Sequence, residues 1–206
     1  MPETADLLVL SPDAQDLLFR QARTAGAFAD EPVTDDQVRA VYDLVRWGPT
    51  SVNGQPLRVL LVRSDGARAQ LAALMSGGNG AKVERAPLAA VLAYDTRFHE
   101  NLPRLAPHAP AMREGFEGSP DKDARRLATA HESAVLQAGY WILGARAAGL
   151  AAGPMGGFDR AGVDAAFFPD GRLRSFLVVN LGRPAAEGAP RARAPRLDYD
   201  EVVSAV

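Results

Sequence analysis

A chain of 206 residues, 47% hydrophobic and 23% charged, holds enough apolar material for one core of ordinary size and is not composed like a disordered segment. Its formal net charge of −2 offers no general cationic surface for nucleic acid, and the lack of cysteine excludes disulfides, thiolate metal sites and cysteine nucleophiles. That lack fits a reducing cytoplasm; the acidic opening Met1–Asp6 is unlike a secretory signal, and the longest apolar region, 134–152, carries Gln137 and Arg146, which argues for a buried helix over a membrane span.

In chain order, Asp13 to Thr24 reads as a helix, with Ser11 as N-cap and Pro12 at its first position. Thr34 with Gln37 makes a capping-box pattern for a second helix from Asp35 to about Trp47, apolar at Val38, Val41, Leu44 and Val45. The stretch from Gly48 to Pro56 cannot be helix or central strand, because its prolines remove backbone donors and its glycines ease unusual dihedrals. This shaped loop admits two readings: an ordinary helix-to-strand connection, or polar groups held for a flat, heteroatom-rich ligand.

Leu57 to Val62 reads as a buried strand and Gly66 to Met75 as a helix. Ser76 to Gly80 is a second shaped segment, followed by a short turn holding Lys82 and a strand from Leu88 to Tyr94. From Thr96 to Pro120 periodicity fails, and prolines 103, 107, 110 and 120 are interleaved with Phe98, His99, His108, Met112 and Phe116. Such a stretch is a lid or a disordered segment, and its aromatic content favours the lid.

Asp121 to Gly149 is the longest helical pattern, apolar almost all round in its second half, with Gly149 as C-cap. Leu150 to Phe158 is a third shaped loop, Asp159 to Phe167 a short helix, and Ser175 to Leu181 a strand. The tail from Gly182 carries Arg183, Arg191, Arg193 and Arg196, with Glu187 the only acid before Asp198. By itself it reads as a solvated extension. No metal site is expected, since His99-Glu100 and His131-Glu132 lack zinc-ligand spacing. No G-x-G-x-x-G follows a strand, and neither Ser51 nor Ser133 has the setting of a nucleophile elbow.

Trp47-Gly48-Pro49-Thr50-Ser51 with Asn53 and Pro56, Gly153-Pro154-Met155 with Gly157-Phe158-Asp159-Arg160, and Pro195-Arg196-Leu197 occur in an order and spacing that resembles the FMN-dependent nitroreductase family. Within it, the chain looks like the branch related to the malonic semialdehyde reductase of pyrimidine breakdown. The resemblance implies an α+β fold with a small mixed central sheet flanked by helices. It implies one FMN-binding domain over residues 1–206, with 183–206 as a C-terminal arm, and a homodimer with FMN at the subunit interface.

It also implies the roles of particular residues. Arg23 and Thr24 would hold the FMN phosphate with Arg193 and Arg196, although Ala22 and Gly26 stand where many relatives carry basic residues. Asn79 and Lys82 would lie near the flavin and its ribityl chain. Pro49, Thr50, Ser51 and Asn53 belong to the loop that would reach the ring from the partner subunit. Pro154, Met155, Gly156 and Gly157 form the segment whose backbone N–H groups would face N5 and O4; relatives often carry an acid where Gly156 stands. The implied activity passes hydride from NADH or NADPH through flavin N5 to a small acceptor, such as malonic semialdehyde on its way to 3-hydroxypropionate. No side chain is assigned as acid or base. A general nitro or quinone reductase, and an FMN-binding module without turnover, are the alternatives.

Overall fold

The computed structural model describes residues 7–185 and 192–206; Met1–Asp6, Glu187 and Arg191 lie outside the described residues. Its sheet has four strands, β1 (Leu57–Val62), β2 (Leu88–Asp95), β3 (Ala151–Met155) and β4 (Leu173–Gly182), in the order β1-β2-β4-β3. All three pairings are antiparallel. This corrects the expectation of a mixed sheet. Between β1 and β2 the chain runs out through α3 (Asp65–Ala73) and back through α4 (Asn79–Arg85), so β2 starts beside the end of β1, with Val62 opposite Ala89.

The side chains of β2 alternate between two cores, as a pleated strand requires. Leu88, Ala90 and Leu92 pack with Val41, Ala134, Ala138 and Trp141, while Ala89, Val91 and Ala93 pack with Leu71, Val83, Met155 and Val163. The first core is covered by α2 (Asp35–Val45) and α6 (Pro120–Ala147), the second by α3, α4 and α7 (Arg160–Phe167). Gly144 makes the α2–α6 contact close, since a Cβ there would come within 2.3 Å of Val45.

The caps follow the sequence. Thr34 and Gln37 form a reciprocal capping box, Ser11 caps α1 (Pro12–Gln15), and Gly149, at φ +74°, ends α6 as a left-handed residue. The first helix is shorter than expected: it passes into a π turn over Asp16–Arg20 and stops there, leaving Arg23 and Thr24 in extended chain. Lys82 lies inside α4 rather than in a turn.

One further expectation is corrected. Ala151–Met155 is a strand, not a loop; Pro154 is tolerated because β3 is at the sheet edge. The Thr96–Pro120 stretch is packed through short helical turns, Phe98–Asn101, α5 (Leu102–Leu105) and Pro110–Phe116, which bury Phe98, Leu102 and Phe116 with Ala130 of α6. Arg126 ties both ends of this stretch by donating to the carbonyls of Thr96 (2.9 Å) and Phe116 (2.6 Å). The final short helix is α8 (Tyr199–Val202).

Candidate functional site

Edge strand β3 positions the first part of the site. The Ala25 N–H donates to the Ala152 carbonyl at 3.0 Å, laying the Arg23–Gly26 segment along the strand. Gly153 makes this approach feasible, because a Cβ there would stand 2.6 Å from the Ala25 carbonyl oxygen. Beside the segment is a groove of about 860 Å³, walled by Arg23, Thr24, Lys82, Arg146, Arg193 and Arg196. No Asp or Glu among the described residues lines it. A neighbouring, more apolar cavity of about 420 Å³ lies against the same segment, with Leu17, Leu150 and Pro184 in its wall.

Three of these arginines are anchored on the carbonyls that end the first helix, groups without partners of their own. Arg146 donates to Leu18 at 2.9 Å, Arg23 to Arg20 and Ala22 at 3.2 and 3.1 Å, and Arg193 to Arg20 and Ala22. The anchoring leaves donors over, since each guanidinium has five. Burial and then the charge of Arg193 push the Arg146 pKa down, while Arg193 is pushed down by partial desolvation, then by Arg23 and Arg196. Guanidinium groups gathered in one groove without a carboxylate between them make a site for an anion. Arg146, some 120 residues from Arg23 in the chain, was missed by sequence reasoning; its only signal was a charge in an apolar helix.

The second and third glycine-rich segments meet at this groove. Ser76 donates its N–H to the Gly157 carbonyl at 3.0 Å, Asn79 Nδ2 donates to the same carbonyl at 3.3 Å, and Lys82 Nζ donates to Asn79 Oδ1 at 3.1 Å. Gly156 is exposed, and no protein atom lies within 4 Å of where its Cβ would be. Pro154 is half-buried, whereas the Met155 side chain packs into the core, leaving only its backbone on this wall.

The loop holding Pro49, Thr50, Ser51 and Asn53 does not join them within one chain. It enters β1 at Leu57, on the opposite sheet edge from β3. Leu57 shares its row with Tyr94, and Ala152 shares its row with Leu88. The two places are thus about 14 Å apart across the sheet and about 20 Å along it.

This loop is strained. Val52, Asn53 and Gln55 have φ of 50°, 54° and 44°, and a β-branched residue in the left-handed region is a marked outlier. Its surroundings hold it there: the Ser51 N–H donates to Ser133 Oγ at 3.2 Å, Gln55 N–H to Thr50 Oγ1 at 3.2 Å, Gln55 Nε2 to Asn53 Oδ1 at 2.9 Å, and Asn53 Nδ2 to the Leu105 carbonyl at 2.8 Å. Asn53 therefore spends its amide on the loop and lid. Next to the loop, Leu44 of α2, Trp47 two residues beyond its end, and Leu136 and Tyr140 of α6 are exposed apolar side chains, with Trp47 81% exposed. A Cβ on Gly48 would stand 3.0 Å from the Tyr140 ring, which brings α6 against the start of the loop.

The remaining buried polar groups serve the scaffold. Asp95 accepts from Arg58 (2.8 Å), from Arg172 through two donors (3.0 and 2.9 Å) and from the Arg97 N–H (2.9 Å). Burial acts to raise its pKa, but these donors and charges outweigh it and hold the carboxyl below its usual range. His99, buried within the Thr96–Pro120 stretch, has its pKa lowered by burial and by Arg126, against the opposing pull of Glu117 at 3.4 Å. No group of three or more potential metal ligands occurs among the described residues.

A family model described as the nitroreductase family matches residues 19–183. A Streptomyces coelicolor protein provisionally named NADH dehydrogenase/NAD(P)H nitroreductase is 54% identical over 97% of this chain and 99% of its own length. A Leptothrix cholodnii protein of the same provisional name is 49% identical over 89% of this chain and 91% of its own. Among solved structures, one provisionally named a nitroreductase, in complex with FMN, from Exiguobacterium sibiricum has a TM-score of 0.81 at 20% identity, covering 94% of this chain and 97% of that one. Another of the same provisional name from Bacillus subtilis has a TM-score of 0.80 at 19% identity over 99% of this chain and 100% of that one.

Proposed function

This chain belongs to the nitroreductase family, and on that footing we propose that it is an FMN-dependent oxidoreductase in which NADH or NADPH reduces a small acceptor. The observation that carries the cofactor is the groove of Arg23, Lys82, Arg146, Arg193 and Arg196 without a carboxylate, joined through Asn79 to the open wall at Gly156 and Gly157. These residues fit FMN at both ends. Guanidinium forks suit a phosphate, and a wall without a Cβ lets backbone N–H groups approach a flat ring.

When bound, FMN supplies two-electron hydride chemistry at a single shared position for donor and acceptor. Arg23, Thr24, Arg193 and Arg196 would hold its phosphate, and the Lys82 charge would lie beside the ring, held in place by Asn79. Among the described residues, the strained Thr50–Gln55 loop is the only predicted part that one chain leaves remote. We assign it to the flavin of a second copy, with the exposed side chains of Leu44, Trp47, Leu136 and Tyr140 as the contact. This makes residues 1–206 one domain that works as a homodimer.

For the acceptor we propose malonic semialdehyde: its carbonyl gains a hydride and a proton to give 3-hydroxypropionate as NAD(P)H becomes NAD(P)⁺. A general nitro or quinone reductase is the second reading, favoured by the names of the relatives. Steady NAD(P)H oxidation by the FMN-loaded protein with menadione or a nitroaromatic tests the enzyme assignment; bound FMN without turnover would leave only a flavin-binding module.

A further inference from the structure

The cationic groove and the 420 Å³ cavity beside it share a wall: Ala22 through Ala27 and Arg146 line both. Where they meet, over Ala25, Gly26 and Ala27, no side chain is larger than a methyl group, and a Cβ on Gly26 would find no protein atom within 4 Å. That leaves room for one ligand to run from the groove into the cavity. Arg23 stands at the junction, with its Nη1 engaged on the Arg20 and Ala22 carbonyls and its buried Nε without a partner among the described residues. A buried donor left in that state is costly unless a ligand completes it.

The two volumes differ in chemistry. The groove gathers Arg23, Lys82, Arg146, Arg193 and Arg196 without a carboxylate, whereas a phosphate monoester brings a charge of only about −2. A second phosphate would use the surplus. The cavity, within the range of about 300–1,000 Å³ usual for small-molecule sites, is walled by Leu17, Leu150 and Pro184 and adds one carboxylate, Asp16, and one amide, Gln21. The Gln21 N–H donates to the Asp16 carbonyl at 2.9 Å, so the π turn sets these two side chains at its two ends. Apolar walls suit the faces of a purine, an amide its edge, and a carboxylate accepts from the vicinal hydroxyls of a ribose.

We propose that this cavity is a subsite for the adenosine of a dinucleotide, with Arg23 and Arg146 holding the phosphate next to it and Asp16 its ribose. The proposal rests on the oxidoreductase reading above and extends the site beyond the flavin and its own phosphate. Two ligands of such an enzyme carry an adenosine diphosphate end: FAD in place of FMN, and the nicotinamide donor bound beside FMN.

The test is calorimetric titration of the flavin-free full chain with ADP, pyrophosphate and FMN, in wild type, Asp16→Ala and Leu17→Trp. Leu17 is 50% exposed, so the larger ring can enter the cavity without disturbing the core. Wild type should bind ADP about tenfold or more tighter than pyrophosphate. Asp16→Ala should weaken ADP by about tenfold, the scale of hydrogen bonds to a charged group, and Leu17→Trp should remove most of the gain over pyrophosphate, while all three proteins bind FMN alike. If the adenosine is that of FAD, FMN displaces ADP and FAD binds more tightly than FMN. If it is that of the donor, ADP binds the FMN-loaded protein and raises the KM for NADH or NADPH with menadione as acceptor. ADP that binds no tighter than pyrophosphate, that binds Leu17→Trp as well as wild type, or that shows neither pair of consequences overturns the proposal. A wild-type protein that does not bind FMN instead overturns the oxidoreductase reading beneath it.

Discussion

Asn79 donates to the Gly157 carbonyl at 3.3 Å, closing two glycine-rich segments, 78 residues apart in the chain, onto one wall. A Cβ on Gly157 would stand 3.2 Å from Asn79 Nδ2. Gly157→Val should therefore displace Asn79, and Lys82 with it, weakening FMN by about tenfold, the scale of one or two hydrogen bonds. Gly156→Ala meets no protein atom within 4 Å. It should leave the melting temperature unchanged and still weaken FMN, because only the ligand side is filled. Fluorescence titration beside thermal melts separates the two cases.

The arginines of the groove make a second prediction. Arg23→Ala and Arg196→Ala should each weaken FMN by about tenfold to a hundredfold, as expected for hydrogen bonds to a charged group. Riboflavin, which lacks the phosphate, should bind both variants and the wild type alike. Equal losses for riboflavin and FMN would show that these arginines act through the fold and not on the phosphate.

Stability should depend on pH in two steps. The folded-state pKa of His99 is below its ordinary value, so the unfolded chain binds the proton first and stability falls as pH drops below about 6.5. The Asp95 carboxyl is also held low, so its contribution is complete above about 3.9 and is lost as pH falls through the lower folded value. Urea melts from pH 7.5 to 3 should show both limbs, and His99→Gln should flatten the first. Asp95→Asn should cost roughly 2–4 kcal/mol at pH 7, because it leaves Arg58 and Arg172 half-buried with a weakened partner.

Much of the scaffold was legible because its signals are local. The Thr34–Gln37 box, the Ser11 cap and the Leu57–Val62 run depend on neighbouring residues only, and the structure repeats both caps and the strand, although β1 is an edge strand with only Val62 buried, not the buried strand expected. What was not legible depends on tertiary placement. Pro154 argues against a strand until β3 is known to be at an edge, and the lid has no periodicity because its short turns are held by Arg126 and the Phe98 cluster. Arg23, Lys82, Arg193 and Arg196 were legible as types, but their shared groove and the addition of Arg146 came only from the fold. Asn53 read as a ligand contact, yet its amide is used on Leu105 and Gln55.

Assembly provides a fourth prediction. Leu44 and Leu136, on α2 and α6, are both exposed. Leu44→Arg with Leu136→Arg should give a folded monomer by sedimentation that has lost FMN, although neither side is part of the cationic groove. A wild-type monomer that binds FMN tightly would remove the two-chain site.

The central claim is that this chain holds FMN and passes reducing equivalents from a nicotinamide donor to an acceptor. Anaerobic stopped-flow absorbance of the FMN-loaded protein tests it most directly. The account predicts about one FMN per chain, bleaching near 450 nm on mixing with NADH or NADPH, and recovery of the colour when menadione or malonic semialdehyde is then added. A protein that FMN cannot turn yellow, or one whose bound flavin neither donor bleaches, would contradict it.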